Sequence, residues 1–279
     1  MDEGWYRTAL GLGRLALRAL DVTLETRGLE HVPATGPVIL AATHVSYLDS
    51  LPICLAARER GRFPRFLSRH DVWQTPGLAY PMDRMGHIPV DRDAPAAAYL
   101  RARRLLREGE AVGIFPEAGI SYSFTVRSLM RGTVALARET GAVIVPTALW
   151  GSQRIYSVGR PVEGVEPGPD LTRGRRIDVC FGEPITLGAA ADLVAGTTEL
   201  GLRLTELLEG LQELPHHQPR AGEHAPWHPA HLGGHAPDRG EALVLDQLPR
   251  SALSPSWGPS GPPGLPVPGE LARAATAAG

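Results

Sequence analysis

The chain contains no lysine; all 28 of its basic residues are arginine. A Walker A phosphate loop, a Schiff-base or pyridoxal-phosphate lysine and a Ser-x-x-Lys nucleophile are therefore excluded. No Gly-x-Ser-x-Gly elbow occurs either. The nearest stretch, Gly119-Ile120-Ser121-Tyr122-Ser123, has the wrong fifth residue. Cysteine is scarce: Cys54 and Cys180 stand alone in apolar surroundings. Two such thiols suit a reducing compartment and make neither a disulfide framework nor a zinc site. Net charge is small, −2 over 279 residues, so composition gives no reason to expect nucleic acid as a partner. The first residues lack the charged start, apolar block and small-residue cleavage site of a signal peptide, and none is expected. There is no internal repeat.

What is present is an alternation of apolar runs and helical periodicity. Residues 4–20 read as a helix with Arg7, Gly11, Arg14 and Arg18 on one stripe and Trp5, Tyr6, Leu10, Leu12, Leu15, Leu17 and Leu20 around it. It is too short and too charged to span a bilayer. It suits a helix lying in a membrane interface, or equally a surface helix packed on its own domain. Strands are predicted over 22–26, 37–42, 62–68, 87–90, 111–115, 142–150 and 176–181, and helices over 50–59, 94–107, 129–140 and 193–211. Residues 71–85 are polar and aromatic, with Pro76-Gly77 and Pro81 breaking any long helix. This order predicts an α/β fold: a single domain with a mixed, largely parallel sheet flanked by helices. The boundaries read as an amphipathic helix at 1–21, the domain at 22–213 and a disordered tail at 214–279. That tail is rich in proline, glycine, alanine and histidine and keeps periodicity only near 241–248. Six of the ten histidines lie in it without regular ligand spacing, so a solvated tail is expected and no metal.

Within the domain, Thr43-His44-Val45-Ser46-Tyr47-Leu48-Asp49 joins the strand at 37–42 to the helix from Ser50. Residues five apart on one helix point to different faces, so only a strand-to-helix turn brings His44 and Asp49 together. An imidazole held by a carboxylate is a general base fixed in one tautomer. The plainer alternatives are a half-buried loop histidine and an aspartate that caps the next helix.

Three further stretches follow: Gly86-His87-Ile88-Pro89-Val90-Asp91-Arg92, Phe115-Pro116-Glu117, and Val143-Ile144-Val145-Pro146. With His44-x4-Asp49 they resemble the four ordered blocks of the glycerolipid acyltransferases, the lysophosphatidic-acid and glycerol-phosphate acyltransferases. The match runs from about Val32 to Trp150, with a weaker echo at Phe181-Gly182-Glu183-Pro184. The resemblance implies that family's fold and the transfer of a fatty acyl group to a glycerolipid hydroxyl. The donor would be a thioester on coenzyme A or acyl carrier protein. His44 would be the general base, Asp49 its holder, and no metal or bound cofactor would be needed. General-base help of this kind is worth ~10²–10⁴ in rate.

The resemblance also gives Arg92 and Glu117 acceptor-binding roles, with Arg92 forking onto a phosphate. Pro146 would shape the substrate groove, and Gly86 would permit close backbone approach. The plain alternatives are a solvated arginine, a turn glutamate, an edge-strand proline and a turn glycine. The third block departs from the family pattern. After Glu117 the family has Gly, Thr, Arg, Ser, whereas here stand Ala118, Gly119, Ile120 and Ser121. One phosphate-binding arginine is thus missing, and Arg127 or Arg131 is the candidate replacement; Ser121, which keeps the block's serine, is expected at the substrate as well. The expected function is acylation of a lysophospholipid such as 1-acylglycerol-3-phosphate, by a peripheral protein on the cytoplasmic side of the cell membrane. The competing readings are the same chemistry on a glycolipid or other acceptor, and a catalytically idle lipid-binding protein.

Overall fold

A computed structural model describes residues 3–91, 94–161, 165–246 and 252–258. The centre of the fold is set by β2 (Val38–Ala42), an apolar run with every residue buried. Such a strand fits only inside a parallel sheet covered on both faces. β5 (Ala111–Ile114) and β6 (Val143–Trp150) flank it in register, so that Ala41 lies beside both Ile114 and Pro146. β3 (Arg65–Arg69) and β4 (Ile88–Val90) extend the parallel set beyond β5. On the other side β7 (Arg176–Phe181) runs antiparallel to β6, and β1 (Thr23–Arg27) runs parallel to β7. The order is β1-β7-β6-β2-β5-β3-β4, seven strands in a mixed and largely parallel sheet.

The helices α2 (Ser50–Ala57), α3 (Ala79–Arg84), α4 (Ala96–Arg107) and α5 (Gly132–Thr140) lie in the connections between strands, and α6 (Leu193–Gln212) follows the last strand. α3 occupies part of the proline-broken stretch. Because β2, β4 and β5 are parallel, their carboxyl ends share one edge of the sheet. Their following residues, His44, Asp91 and Phe115, therefore open on the edge where α/β folds place their ligands.

The first helix, α1 (Glu3–Ala19), has two distinct sides. Tyr6, Leu10 and Leu17 are buried, and the Tyr6 hydroxyl donates to the Pro64 carbonyl at 2.5 Å beside the Cys54 thiol. Gly13 lets Leu51 of α2 lie against the helix, since a Cβ there would come within 2.4 Å of Leu51 Cδ1. Leu12 and Leu15, on the opposite side, are each 63% exposed.

The structure corrects the expectation of a disordered tail over 215–246. A short 3-10 turn at Pro215–His217 leads to a further turn at Ala230–Leu232 and to α7 (Arg239–Leu245), which carries a capping box between Asp238 and Glu241. His217, Ala225, His228, Ala236, Ala242 and Asp246 are buried. Beyond it, Leu253 bridges Leu129, and the Trp257 ring covers Gly201 of α6. This segment lies along the domain as a strap and buries scattered single residues, so outside α7 it has neither helical nor strand periodicity. Residues 247–251 and 259–279 of the expected tail lie outside the described residues.

Candidate active site

The turn after β2 folds back on itself. Asp49 has helical backbone angles at the start of α2, yet its side chain caps nothing in that helix. It points back along the chain instead. Asp49 Oδ2 accepts from the His44 ring at Nδ1 (2.9 Å), from Val45 N–H (2.7 Å) and from Ser46 N–H (2.8 Å). Asp49 Oδ1 accepts from the Ser152 hydroxyl at 2.8 Å, just beyond β6. The carboxyl group is fully buried. An oxygen already receiving two backbone N–H groups has no proton to give, so His44 Nδ1 is the donor. The lone pair is therefore on Nε2, and the His44 side chain keeps 20% of its surface exposed.

The ring is fixed from below as well. Phe115 stacks on His44, with centroids 4.0 Å apart and planes 13° apart, and Phe66 stacks on Phe115 at 5.2 Å. Gly113 in β5 makes room for this column, because a Cβ there would come within 2.6 Å of the Phe66 ring. The loop is laced to the segment after β6 by Ser46 Oγ to the Tyr156 carbonyl (2.6 Å) and Ser157 Oγ to the Val45 carbonyl (2.5 Å).

Glu117 lies on the other side of His44. It is 2% exposed, and its two oxygens accept from the backbone N–H groups of His44 (2.9 Å) and Arg127 (3.0 Å). Burial pushes its pKa up to about 7, against the opposing pull of the Arg127 backbone and charge. Glu117 thus holds the His44 loop by its backbone. Arg127 is buried too, with Nε and Nη2 donating to the Glu117 carbonyl and Nη1 paired with Asp246 of the strap at 3.0 Å. Tyr122 N–H donates to the same Asp246 oxygen.

The remaining expected residues fall in different places. Ser121 is buried, shares a hydrogen bond with Ser123 Oγ, and donates its N–H to the His44 carbonyl. Gly86 has φ +74° and closes α3: its N–H reaches the Asp83 carbonyl and the N–H of His87 reaches Met82, the double closure of a glycine-ended helix. His87 is buried, accepts from Phe66 N–H, and is pushed down to about 4 by that burial. Pro146 lies in a central strand, not at an edge, where β7 departs from the ladder. Its carbonyl takes Gly182 N–H, and the proline nitrogen leaves the reciprocal bond of that pair unmade. Ile120 is buried, and Arg131 is exposed at the start of α5. Arg92 lies outside the described residues. Sequence reading missed Ser152 and the strap residue Asp246, since both reach the site from far along the chain. It also missed the stacking role of Phe115.

Comparison with known proteins follows this geometry. A family model described as Acyltransferase matches residues 23–150. The chain is 27% identical over 217 residues to the 1-acyl-sn-glycerol-3-phosphate acyltransferase of Bacillus subtilis, covering 72% of this chain and 99% of that one. It is 28% identical over 175 residues to the chloroplastic 1-acyl-sn-glycerol-3-phosphate acyltransferase LPAT1 of Arabidopsis thaliana, covering 61% of this chain and 46% of the relative. The matched stretch thus spans about half the length of the plant relative. Among solved structures, the 1-acyl-sn-glycerophosphate acyltransferase PlsC of Thermotoga maritima shares the fold, with TM-score 0.56, 20% identity, and coverage of 77% of this chain and 81% of that one.

Proposed function

The chain belongs to the glycerolipid acyltransferase family, and from that premise we propose that it moves a fatty acyl group from a thioester to the free hydroxyl of a lysophospholipid such as 1-acylglycerol-3-phosphate. The observation that carries this reading is the His44–Asp49 pair, with Nδ1 held at 2.9 Å and Nε2 free to face a substrate. A glycerol hydroxyl is a poor nucleophile at neutral pH. His44 Nε2 takes its proton as the oxygen attacks the thioester carbonyl. The C–S bond of the tetrahedral intermediate then breaks, and the imidazolium returns the proton to the leaving thiolate. Asp49 stabilises the ring while it is charged. The donor is acyl-coenzyme A or acyl carrier protein, and this mechanism uses no metal or bound cofactor.

The place of action is the cytoplasmic membrane surface, reached peripherally. Among the described residues no helix is long and apolar enough to cross a membrane. Leu12 and Leu15 project from the outer side of α1, flanked by the stripe of Arg7, Arg14 and Arg18. That pattern suits insertion into an anionic interface. Leu51, packed on Gly13, connects this helix to the start of α2, two residues after Asp49.

A second acceptor reading is favoured by one specific observation. Ile120 is buried where the family has arginine, and Arg127 spends its guanidinium on Glu117 and Asp246. An acceptor with no phosphate at that point, such as a glycolipid, fits the same chemistry. Thiol release from palmitoyl-coenzyme A with a panel of acceptors distinguishes the two. Release only with lysophosphatidate supports the first acceptor, and release only with another alcohol supports the second. Silence with every acceptor, or full activity in a folded His44→Ala variant, removes the catalytic proposal.

A further inference from the structure

We propose that Asp178, His216 and His217 form a binding site for one divalent transition-metal ion of the zinc type, fastening the start of the C-terminal strap to the sheet. Asp178 is a fully buried residue of β7, and the two histidines come from the 3-10 turn that follows α6. His216 Nε2 and His217 Nε2 lie 2.8 and 2.9 Å from the same oxygen, Asp178 Oδ2. The two rings are 4.4 Å apart, and the three ligand atoms all lie within 4.8 Å of one another. Among the described residues no other trio of histidine, cysteine and carboxylate side chains converges in this way.

Two imidazoles and a carboxylate are a donor set that zinc, cobalt and nickel accept, and that calcium and magnesium do not favour. Zinc bonds of ~2.0–2.1 Å meeting at the tetrahedral angle set neighbouring ligand atoms ~3.3 Å apart. The two nitrogen–oxygen separations are therefore a few tenths of an ångström short of that spacing. His217 is buried and held in place, whereas the His216 side chain is 27% exposed and can back away to admit the ion. The same open side leaves room for water as the remaining ligand. Two cations oppose the ion: Arg154 acts on His217, and Arg27 Nη2 lies 3.4 Å from Asp178 Oδ1, though the Arg27 side chain is half exposed and can turn to solvent. The site is remote in role from the His44–Asp49 turn and does not depend on the catalytic proposal.

The test is zinc binding to the full chain, followed by calorimetry and by thermal melting. One zinc equivalent should bind and raise the melting temperature. His216→Ala, chosen because that residue is partly exposed, should weaken this equivalent by at least about tenfold, as loss of a metal-site partner does elsewhere. Arg27→Ala should tighten it, and His235→Ala, in the strap but outside the trio, should leave it unchanged. Cobalt(II) provides an independent readout: its tetrahedral visible absorption should appear with the wild-type chain and vanish with His216→Ala. Absence of binding by the wild-type chain overturns the proposal. So does an affinity unchanged by His216→Ala, or one that follows His235 instead.

Discussion

Replacing Asp49 by asparagine tests how His44, the proposed general base, is held. The asparagine oxygen can take the place of Oδ2 and keep all three N–H donors, from His44, Val45 and Ser46. Its amide nitrogen then falls at Oδ1, where the Ser152 hydroxyl can reverse and accept. The ring should therefore keep its tautomer and position, and the loss should come from charge. A unit charge ~4 Å from the imidazolium at an effective dielectric of about 20 is worth about 4 kcal/mol. At about 1.4 kcal/mol per decade, kcat should fall about a thousandfold. Stability should fall by only about 1–3 kcal/mol, because neutral hydrogen bonds replace charge-assisted ones. Adding Ser152→Ala strands the buried amide N–H and should cost a further ~1–3 kcal/mol. Saturating thiol-release kinetics give kcat, and chemical denaturation gives the stability. A folded Asp49→Asn protein with kcat within tenfold of wild type would refute the role of the carboxylate charge.

Glu117 carries a proton in the native state between its ordinary pKa and about 7, so its contribution to stability falls as pH rises through that window. Glu117→Gln should flatten the pH dependence of unfolding by roughly 3 kcal/mol across it, and should lower kcat because its amide N–H₂ faces a backbone donor; parallel unfolding curves for the two proteins contradict this. Cutting the chain after Leu214 removes Asp246, and with it the ion pair and cover of the Arg127 guanidinium, so the melting temperature and turnover should both fall. A truncated chain as stable as the whole one would show that the strap does not support the site. Leu12→Glu together with Leu15→Glu should abolish sedimentation with anionic vesicles while sparing the fold, since both residues are exposed; unchanged sedimentation would assign membrane binding elsewhere. Gly113→Ala should push Phe66 into the stack beneath His44, at a cost of about 1–3 kcal/mol with a matching fall in kcat, both measurable on the purified protein.

Much of the domain was legible because its signals are local. The buried run at β2 and the helical period at α6 each declare their own structure, and the alternation between them declares the sheet. His44 and Asp49 were legible for the same reason, being five residues apart across one turn. Partners distant in sequence were not. Nothing near Ser152 announces a bond to a carboxylate 103 residues earlier. Nothing near Asp246 announces Arg127. The strap was misread because its contribution comes from single buried residues such as Trp257 and His217, and periodicity cannot register a residue that acts alone.

The strap also sets an order in time. Tyr122 and Asp246 are 124 residues apart, and at ~5–20 residues per second a ribosome needs roughly 6–25 s to make the second after the first. Throughout that interval α1 and the His44 turn, both made earlier, are already in place, while the loop bearing Glu117 and Arg127 still lacks its last anchor. A nascent chain therefore forms the His44–Asp49 turn well before the strap that anchors its neighbouring loop.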